Sequence, residues 1–294
     1  MKRSRKSLNA YTYKNRLRAC LNGEFYMSLY EAVNICEEIL TSKKYATLYK
    51  PMVLRICEEE YKKYSNNKNR IKAVKNILHA MYGAYISADT YKKANKLMDS
   101  FTIERQETER QEILNQVLHL HASTRERMQY LSMFYDYIFD IVGEVKSIVD
   151  IGCGFNPLTL SYFPQKGDIK YHALDIDERI AELNNRYFST VGMPSLARCV
   201  DIIAEIPNTS ADVTFLFKVL PLIDRQSKNR SAQLIRKIDT QYLVITYPTK
   251  SLTGKEKGMK SFYAAAFEDV LGGSLSIAAK KQIGDELVYV INKR

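Results

Sequence analysis

The sequence reads as an α/β chain: a doubly wound domain of alternating strands and helices, preceded by an all-helical module. Three observations carry that reading. Apolar residues recur at helical spacing from about residue 28 to residue 145, and the period changes beyond that point. After 145, short apolar runs alternate with helix-like stretches, the pattern of parallel βαβ units in a layered sheet. The first of these runs ends in a G-x-G turn, where the backbone of such a sheet meets its ligands. Composition agrees. Of 294 residues, 46% are hydrophobic and 26% charged, which excludes wholesale disorder and leaves room for one large domain or two modest ones.

Residues 1–29 form a basic extension that is open to disorder. Residues 30–120 are assigned to the helical domain and 121–294 to the α/β domain. In the helical part, Ala32, Val33, Ile35, Cys36, Ile39 and Leu40 fall at helix spacing, and 52–57 and 71–82 repeat the habit. Ser65-Asn66-Asn67 and Gly83 are the breaks. A long stretch over 104–120 is charged on one face. A further one over 125–139 carries Met128, Leu131, Phe134, Tyr135 and Ile138 as an apolar stripe, expected to be core. Strands are expected at 147–151, 170–174, 196–200, 213–217, 242–247, 275–279 and 287–291. The last two, separated by Gly284-Asp285, read as an antiparallel pair closing the sheet.

The net charge of +11 is unevenly placed. Residues 1–29 carry +6, residues 30–120 carry +3, and the rest only +2. A basic module ahead of a nearly neutral domain is the footprint of a polyanionic partner, although a merely solvated surface gives the same sum. The five cysteines (Cys20, Cys36, Cys57, Cys153, Cys199) include no C-x-x-C pair, and the four histidines form no H-E-x-x-H. Free thiols in a reducing cytoplasm and no metal site are therefore expected. No apolar run approaches the roughly 18–20 residues of a membrane span. The start, MKRSRKSLNAYTYKNRLR, lacks the apolar core of a secretory signal, so a cytoplasmic location is expected.

Chemistry concentrates at the strand ends. In Val149-Asp150-Ile151-Gly152-Cys153-Gly154-Phe155-Asn156-Pro157, a strand runs into G-x-G, with Asn156 expected as the N-cap of the next helix and Pro157 as its first residue. The glycines let a ligand approach bare backbone N–H groups there, with Gly152 and Asn156 as cofactor-binding positions. The third glycine of the dinucleotide fingerprint is absent, which suits a nucleoside with a compact polar tail. Asp175 ends the second strand 23 residues past Gly152, where a carboxylate accepts both ribose hydroxyl protons. Asp177 suits a helix N-cap better. At the third strand end, Asp201 is placed to accept the adenine amine while Ile202 covers the ring. Three strand ends with these groups favour S-adenosylmethionine over NAD.

The chain resembles the Arm/Rmt group of 16S ribosomal RNA methyltransferases, the aminoglycoside-resistance enzymes that modify N7 of guanine 1405. The resemblance covers roughly residue 31 to the C-terminus and rests on several separate motifs. These are Leu120-His121-Ala122-Ser123-Thr124-Arg125-Glu126-Arg127, the G-x-G turn through Leu158, Phe217-Lys218-Val219-Leu220-Pro221, and Tyr247-Pro248-Thr249-Lys250-Ser251-Leu252-Thr253-Gly254-Lys255-Glu256-Lys257-Gly258-Met259. The G-x-G is shared with many methyltransferases, whereas the first and last motifs are specific. Tyr247 stands where relatives often have Phe, and residues 1–29 have no clear counterpart.

The resemblance implies a class I S-adenosylmethionine-dependent methyltransferase domain, Rossmann-like, behind an all-helical rRNA-binding domain. It places His121, Ala122, Ser123 and Arg127 along the cofactor pocket, with Arg127 on the methionine carboxylate. Gly152, Asp175, Asp201, Ile202, Phe217 and Gln226 also fall at cofactor-contacting positions. Lys218 sits where other methyltransferases carry residues facing the target base, and both base or phosphate positioning and a structural role stay open. Lys250, Lys255, Lys257 and Lys260 form a loop that does not fit a P-loop and reads as an RNA grip or as a plain solvated loop. Guanine N7 carries no proton, so no general base is expected. The implied partner is 16S rRNA within the 30S subunit, acted on by a monomer and giving aminoglycoside resistance. Two other readings stay open: a methyltransferase of another rRNA base, and a non-catalytic RNA-binding or ribosome-assembly factor with a methyltransferase-like fold.

Overall fold

The computed structural model describes residues 23–82, 87–165, 167–227, 229–249 and 275–294. Helices come first, in the order α1 (Gly23–Leu40), α2 (Lys50–Lys63), α3 (Asn67–Tyr82), α4 (Ala88–Asp99), α5 (Glu107–Leu120), α6 (Ala122–Arg127) and α7 (Leu131–Val142). Strands β1 (Ser147–Ile151), β2 (Lys170–Asp175), β3 (Ala197–Cys199), β4 (Ala211–Phe217), β5 (Thr240–Pro248), β6 (Ser276–Ile283) and β7 (Glu286–Asn292) follow. Between them lie α8 (Glu178–Thr190), α9 (Leu220–Gln226) and α10 (Arg230–Lys237). Every expected strand is present, with edges moved by a few residues. Within the described residues no helix is long and apolar enough to cross a membrane.

The chain divides into two units, one taking the described residues up to Ala46 with Lys50–Leu78, the other Thr47–Tyr49 with His79–Arg294. This division falls earlier than the expected boundary at residue 120, because α5 packs against the sheet-bearing unit. The hydroxyl of Tyr162, in the segment after β1, donates to Asn115 Oδ1 of α5 at 2.6 Å. In the first unit, α1 buries Ala32, Ile35, Cys36 and Ile39, α2 buries Met52, Val53, Ile56 and Cys57, and α3 adds Val74 and Leu78. Those are the positions at 3.6-residue spacing, so the apolar stripes serve as core. Buried Arg70 is satisfied by Glu31 at 3.0 Å and by the carbonyl of Tyr64 at 2.8 Å. Its guanidinium lies 3.6 Å from the centre of the Tyr61 ring.

The second unit is built on a seven-stranded sheet of order β3-β2-β1-β4-β5-β7-β6. The first five strands are parallel, β7 runs antiparallel to β5, and β6 to β7. Strands β1, β4 and β5 are buried along nearly their whole length, which is why they read as continuous rather than alternating apolar runs. One face is covered by Leu220, Ile223, Leu234 and Ile235 of α9 and α10, against Val149, Leu216, Leu243 and Tyr289. On the other, Phe134 of α7 meets Phe217 edge-on at 5.3 Å and Tyr135 meets Phe163 at 4.4 Å. The expected single helix over 125–139 is interrupted by a 3₁₀ turn, Met128–Tyr130. Arg127 on one side of that turn and Tyr135 on the other both reach Asn156.

The closing hairpin turns at Gly284-Asp285, as expected, with Gly284 at φ +56°. β6 runs farther than its apolar run suggested. Past an irregularity between Ile277 and Ala279 it continues through Lys280, Lys281 and Gln282, an exposed edge whose polar residues hide the strand in the sequence. Asp177 caps α8 as expected, its carboxylate accepting from the backbone N–H of Arg179 at 2.9 Å.

Candidate active site

A cavity of about 140 Å³ opens at the C-terminal ends of β1, β2 and β4, between them and the α5–α6 junction. That is where an open parallel sheet reverses its strand order and binds ligands. The turn after β1 forms its floor. Gly152 and Gly154 stand at φ +69° and +51°, conformations that cost an L-residue about 1–2 kcal/mol. A Cβ at Gly152 would lie 2.9 Å from Val219 Cγ2, and one at Gly154 would lie 2.9 Å from the His121 ring. Both positions therefore require glycine, and together they form a cradle that any side chain would fill. The turn is tied to β2: the Gly152 N–H donates to Leu174 O at 2.8 Å, and the Gly154 N–H to Asp175 Oδ2 at 2.9 Å.

Asp175 lies in the cavity wall, its Oδ1 accepting from the Ile176 N–H at 2.7 Å. Burial pushes its carboxyl up to about 6, against backbone N–H groups of Gly154 and Ile176 that hold it down. It is ionised at neutral pH and ready to accept hydroxyl protons. Asp175→Ala is accordingly expected to weaken cofactor binding by roughly 1–3 kcal/mol, the scale of a buried partner left unpaired. Calorimetric titration measures this, and unchanged affinity would remove Asp175 from the site.

His121 is the joint between α5 and α6. Its extended backbone, φ −98° and ψ 124°, ends one helix and starts the next. The ring thereby lands 5.1 Å from Phe155 and against Gly154. Burial first, and then the charges of Arg127, Lys218 and Arg125, lower it to about 4, so the ring at the cavity wall is neutral.

A buried charge cluster stands beside this joint. Arg127, 4% exposed, gives Nε to Glu286 Oε1 at 3.0 Å and Nη2 to Glu286 Oε2 at 2.8 Å. Its guanidinium lies 4.6 Å and 4.7 Å from the ring centres of Phe134 and Phe217. Lys218, at the end of β4 with φ +58°, reaches Glu126 at 2.7 Å and Glu286 at 3.1 Å. Burial would raise the Glu286 carboxyl, but Arg127 and Lys218 pull it down to about 2. Lys218 is thus anchored by two carboxylates at the cavity wall.

Most of the expected cofactor positions converge. His121, Ser123, Arg127, Gly152, Asn156, Asp175, Ile202, Phe217 and Gln226 line the cavity, and so does Lys218. Ala122 and Asp201 do not. Ala122 opens α6, and Asp201 is buried with Oδ1 accepting from the Ile203 N–H at 3.1 Å. Lys250, Lys255, Lys257 and Lys260 lie outside the described residues. Asn156 needs a correction: it is the first residue of a 3₁₀ turn, Asn156–Tyr162, not an N-cap, and Phe155 precedes it in the cap position. The cap reading fails because its side chain is buried and turned inward to Asp150 and Arg127. Glu286 and the apolar wall of Val219, Leu222 and Ile223 were not anticipated. The acidic pair Asp285-Glu286 ahead of the apolar run Leu287–Ile291 marks a carboxylate at a strand start but says nothing of its partner.

The comparisons with known proteins bear on this geometry. Residues 41–290 match the family described as ribosomal RNA methyltransferase (FmrO). A 16S rRNA (guanine(1405)-N(7))-methyltransferase of Serratia marcescens is 31% identical over 255 residues, covering 87% of this chain and 96% of that protein. One of the same name from Proteus mirabilis is 31% identical over 272 residues, covering 88% and 96%. Among solved structures, the 16S rRNA methyltransferase RmtF in complex with S-adenosyl-L-homocysteine superposes with a TM-score of 0.80 at 30% identity. That match covers 90% of this chain and 98% of RmtF.

Proposed function

Because the chain belongs to the FmrO family of ribosomal RNA methyltransferases, we propose that it transfers a methyl group from S-adenosylmethionine to N7 of guanine 1405 of 16S rRNA. The observation that carries this reading is the convergence of Gly152, Asp175, Ile202 and Phe217, from four successive strand ends, on one cavity. The glycine cradle and the ionised Asp175 fit a nucleoside cofactor. S-adenosylmethionine, when bound, supplies an electrophilic methyl on a sulfonium. Asp175 would hold the ribose, Phe217 and Ile202 would flank the cofactor, and Arg127 would face the methionine carboxylate.

Guanine N7 offers its lone pair directly, so the protein's work is alignment and exclusion of water rather than proton transfer. His121, kept neutral, adds no repulsive charge near the sulfonium. Lys218, held by Glu126 and Glu286, fixes the end of β4 where a target base would enter. The lysines at 250, 255, 257 and 260 and the basic residues of the helical part would grip rRNA phosphates. A base inside folded rRNA is recognised by shape, so the substrate proposed is the assembled 30S subunit, acted on by a monomer in the cytoplasm. A methyl and a new positive charge in the decoding site would repel cationic aminoglycosides.

The test is transfer of labelled methyl from S-adenosylmethionine to purified 30S subunits and to naked 16S rRNA. Label in 30S well above that in naked rRNA is expected. Equal labelling would sink the 30S assignment, and labelling of neither would sink the enzymatic one.

A further inference from the structure

Asp175 has a support that the roles above leave unused. Oδ2 of its carboxylate is held by the Gly154 N–H at 2.9 Å, and Oδ1 by the N–H groups of Ile176 at 2.7 Å and Asp177 at 3.3 Å. Those last two residues are the whole connection between β2, which ends at Asp175, and α8, which starts at Glu178. The connection lies at the edge of the cavity, which Ile176 itself lines. It belongs to neither the strand nor the helix, so its backbone groups need partners from elsewhere.

Those partners come from Thr47–Tyr49. The Tyr49 N–H donates to Ile176 O at 2.8 Å, and the Glu178 N–H donates to Thr47 O at 2.9 Å. Between these two bonds, Leu48 and Asp177 form an antiparallel bridge. The Glu178 N–H opens α8 and has no acceptor inside its own helix, so Thr47 O also satisfies a helix start. Leu48 is 2% exposed, and its burial pins the middle of the segment. Thr47–Tyr49 groups with the sheet-bearing unit, although the residues on both sides of it in the chain belong to the first. Three residues from the helical part of the sequence thus clamp the connection that supplies two of the three N–H groups on Asp175.

We propose that Thr47–Tyr49 is a positioning segment for Asp175: by fixing 176–178, it sets the direction in which the carboxylate faces the cofactor's ribose hydroxyls. The inference rests on reading the cavity as the S-adenosylmethionine site, and it makes that site depend on a stretch far upstream of the strand ends. With the clamp cut, the connection turns, and the carboxylate bonded to it turns with it.

Proline at position 178 cuts the clamp where the helix tolerates it. It removes the N–H and puts a ring carbon against the Thr47 oxygen. Proline suits the first position of a helix, and Asp177, at φ −112° and ψ 120°, already has the conformation required before proline. Glu178→Ala keeps the N–H and is the control. In calorimetric titration of the full chain, Glu178→Pro is expected to bind S-adenosyl-L-homocysteine roughly 3- to 10-fold more weakly than Glu178→Ala, the scale of one hydrogen bond. Repeated with Asp175→Ala added to both, the difference should shrink to less than about twofold, because the carboxylate being positioned is gone. Equal binding by Glu178→Pro and Glu178→Ala would overturn the proposal. An equal loss with and without Asp175 would also overturn it, since the clamp would then act on the fold and not through the carboxylate. Failure of the parent to bind the ligand would overturn the cavity reading, and the proposal with it. Should Glu178→Pro fail to fold, Tyr49→Pro against Tyr49→Ala cuts the other bond and is judged by the same outcomes.

Discussion

Glu286→Ala is expected to destabilise the protein by about 3–5 kcal/mol, measured by denaturant unfolding. Removing this carboxylate leaves Arg127 fully buried with a bidentate partner gone, and takes one of two anchors from Lys218. An uncompensated buried charge is costlier than a missing pair, because neither water nor another carboxylate replaces the lost bonds. The pH dependence has a definite sign. Glu286 is held at about 2 in the fold, below its ordinary value of 4.5, so its contribution is complete above 4.5 and is lost as pH falls from there toward 2. The acid limb of the stability profile should therefore flatten in Glu286→Ala relative to the parent. A loss below about 1 kcal/mol, the scale of an exposed pair, would contradict the buried-cluster account.

Gly154→Val is expected to cost roughly 2–4 kcal/mol in stability and to reduce S-adenosyl-L-homocysteine binding below detection. Two effects combine. The left-handed backbone at φ +51° disfavours any side chain, and a Cβ meets the His121 ring at 2.9 Å, with the valine methyls reaching into the cavity floor. The contributions separate in a cycle with Gly154→Ala. Pairing Gly154→Ala with His121→Ala should relieve the collision and leave the backbone cost, so the double variant should be less unstable than the two single losses added. Strict additivity would show that the ring does not pack on this turn.

Much of the site was legible because the sheet enforces it. Gly152, Asp175 and Ile202 sit at successive strand ends, and parallel strands bring their C-terminal ends to one edge whatever lies between them. The helical stripes and the terminal hairpin were equally readable, since burial on one face writes a period into the sequence. The misses have a common physical origin. Asn156 sits in a sequence position fit for a cap, but four polar partners from β1, β2, α6 and α7 claim its side chain. Glu286 pairs with a residue 159 positions away, and no local pattern records such a contact. Likewise β6 is an edge strand whose lysines face solvent, so its length does not show as apolar periodicity. Expectations for the lysines at 250, 255, 257 and 260 concern residues outside those described and stand as proposals.

In the proposed reaction this cavity aligns a sulfonium methyl with one guanine N7 in 16S rRNA. Mass mapping of 16S rRNA from 30S subunits incubated with the protein and S-adenosylmethionine tests it most directly. A single added methyl on N7 of guanine 1405, absent when the cofactor is withheld, is the predicted result. A methyl on any other atom or nucleotide, or none at all, would contradict the account.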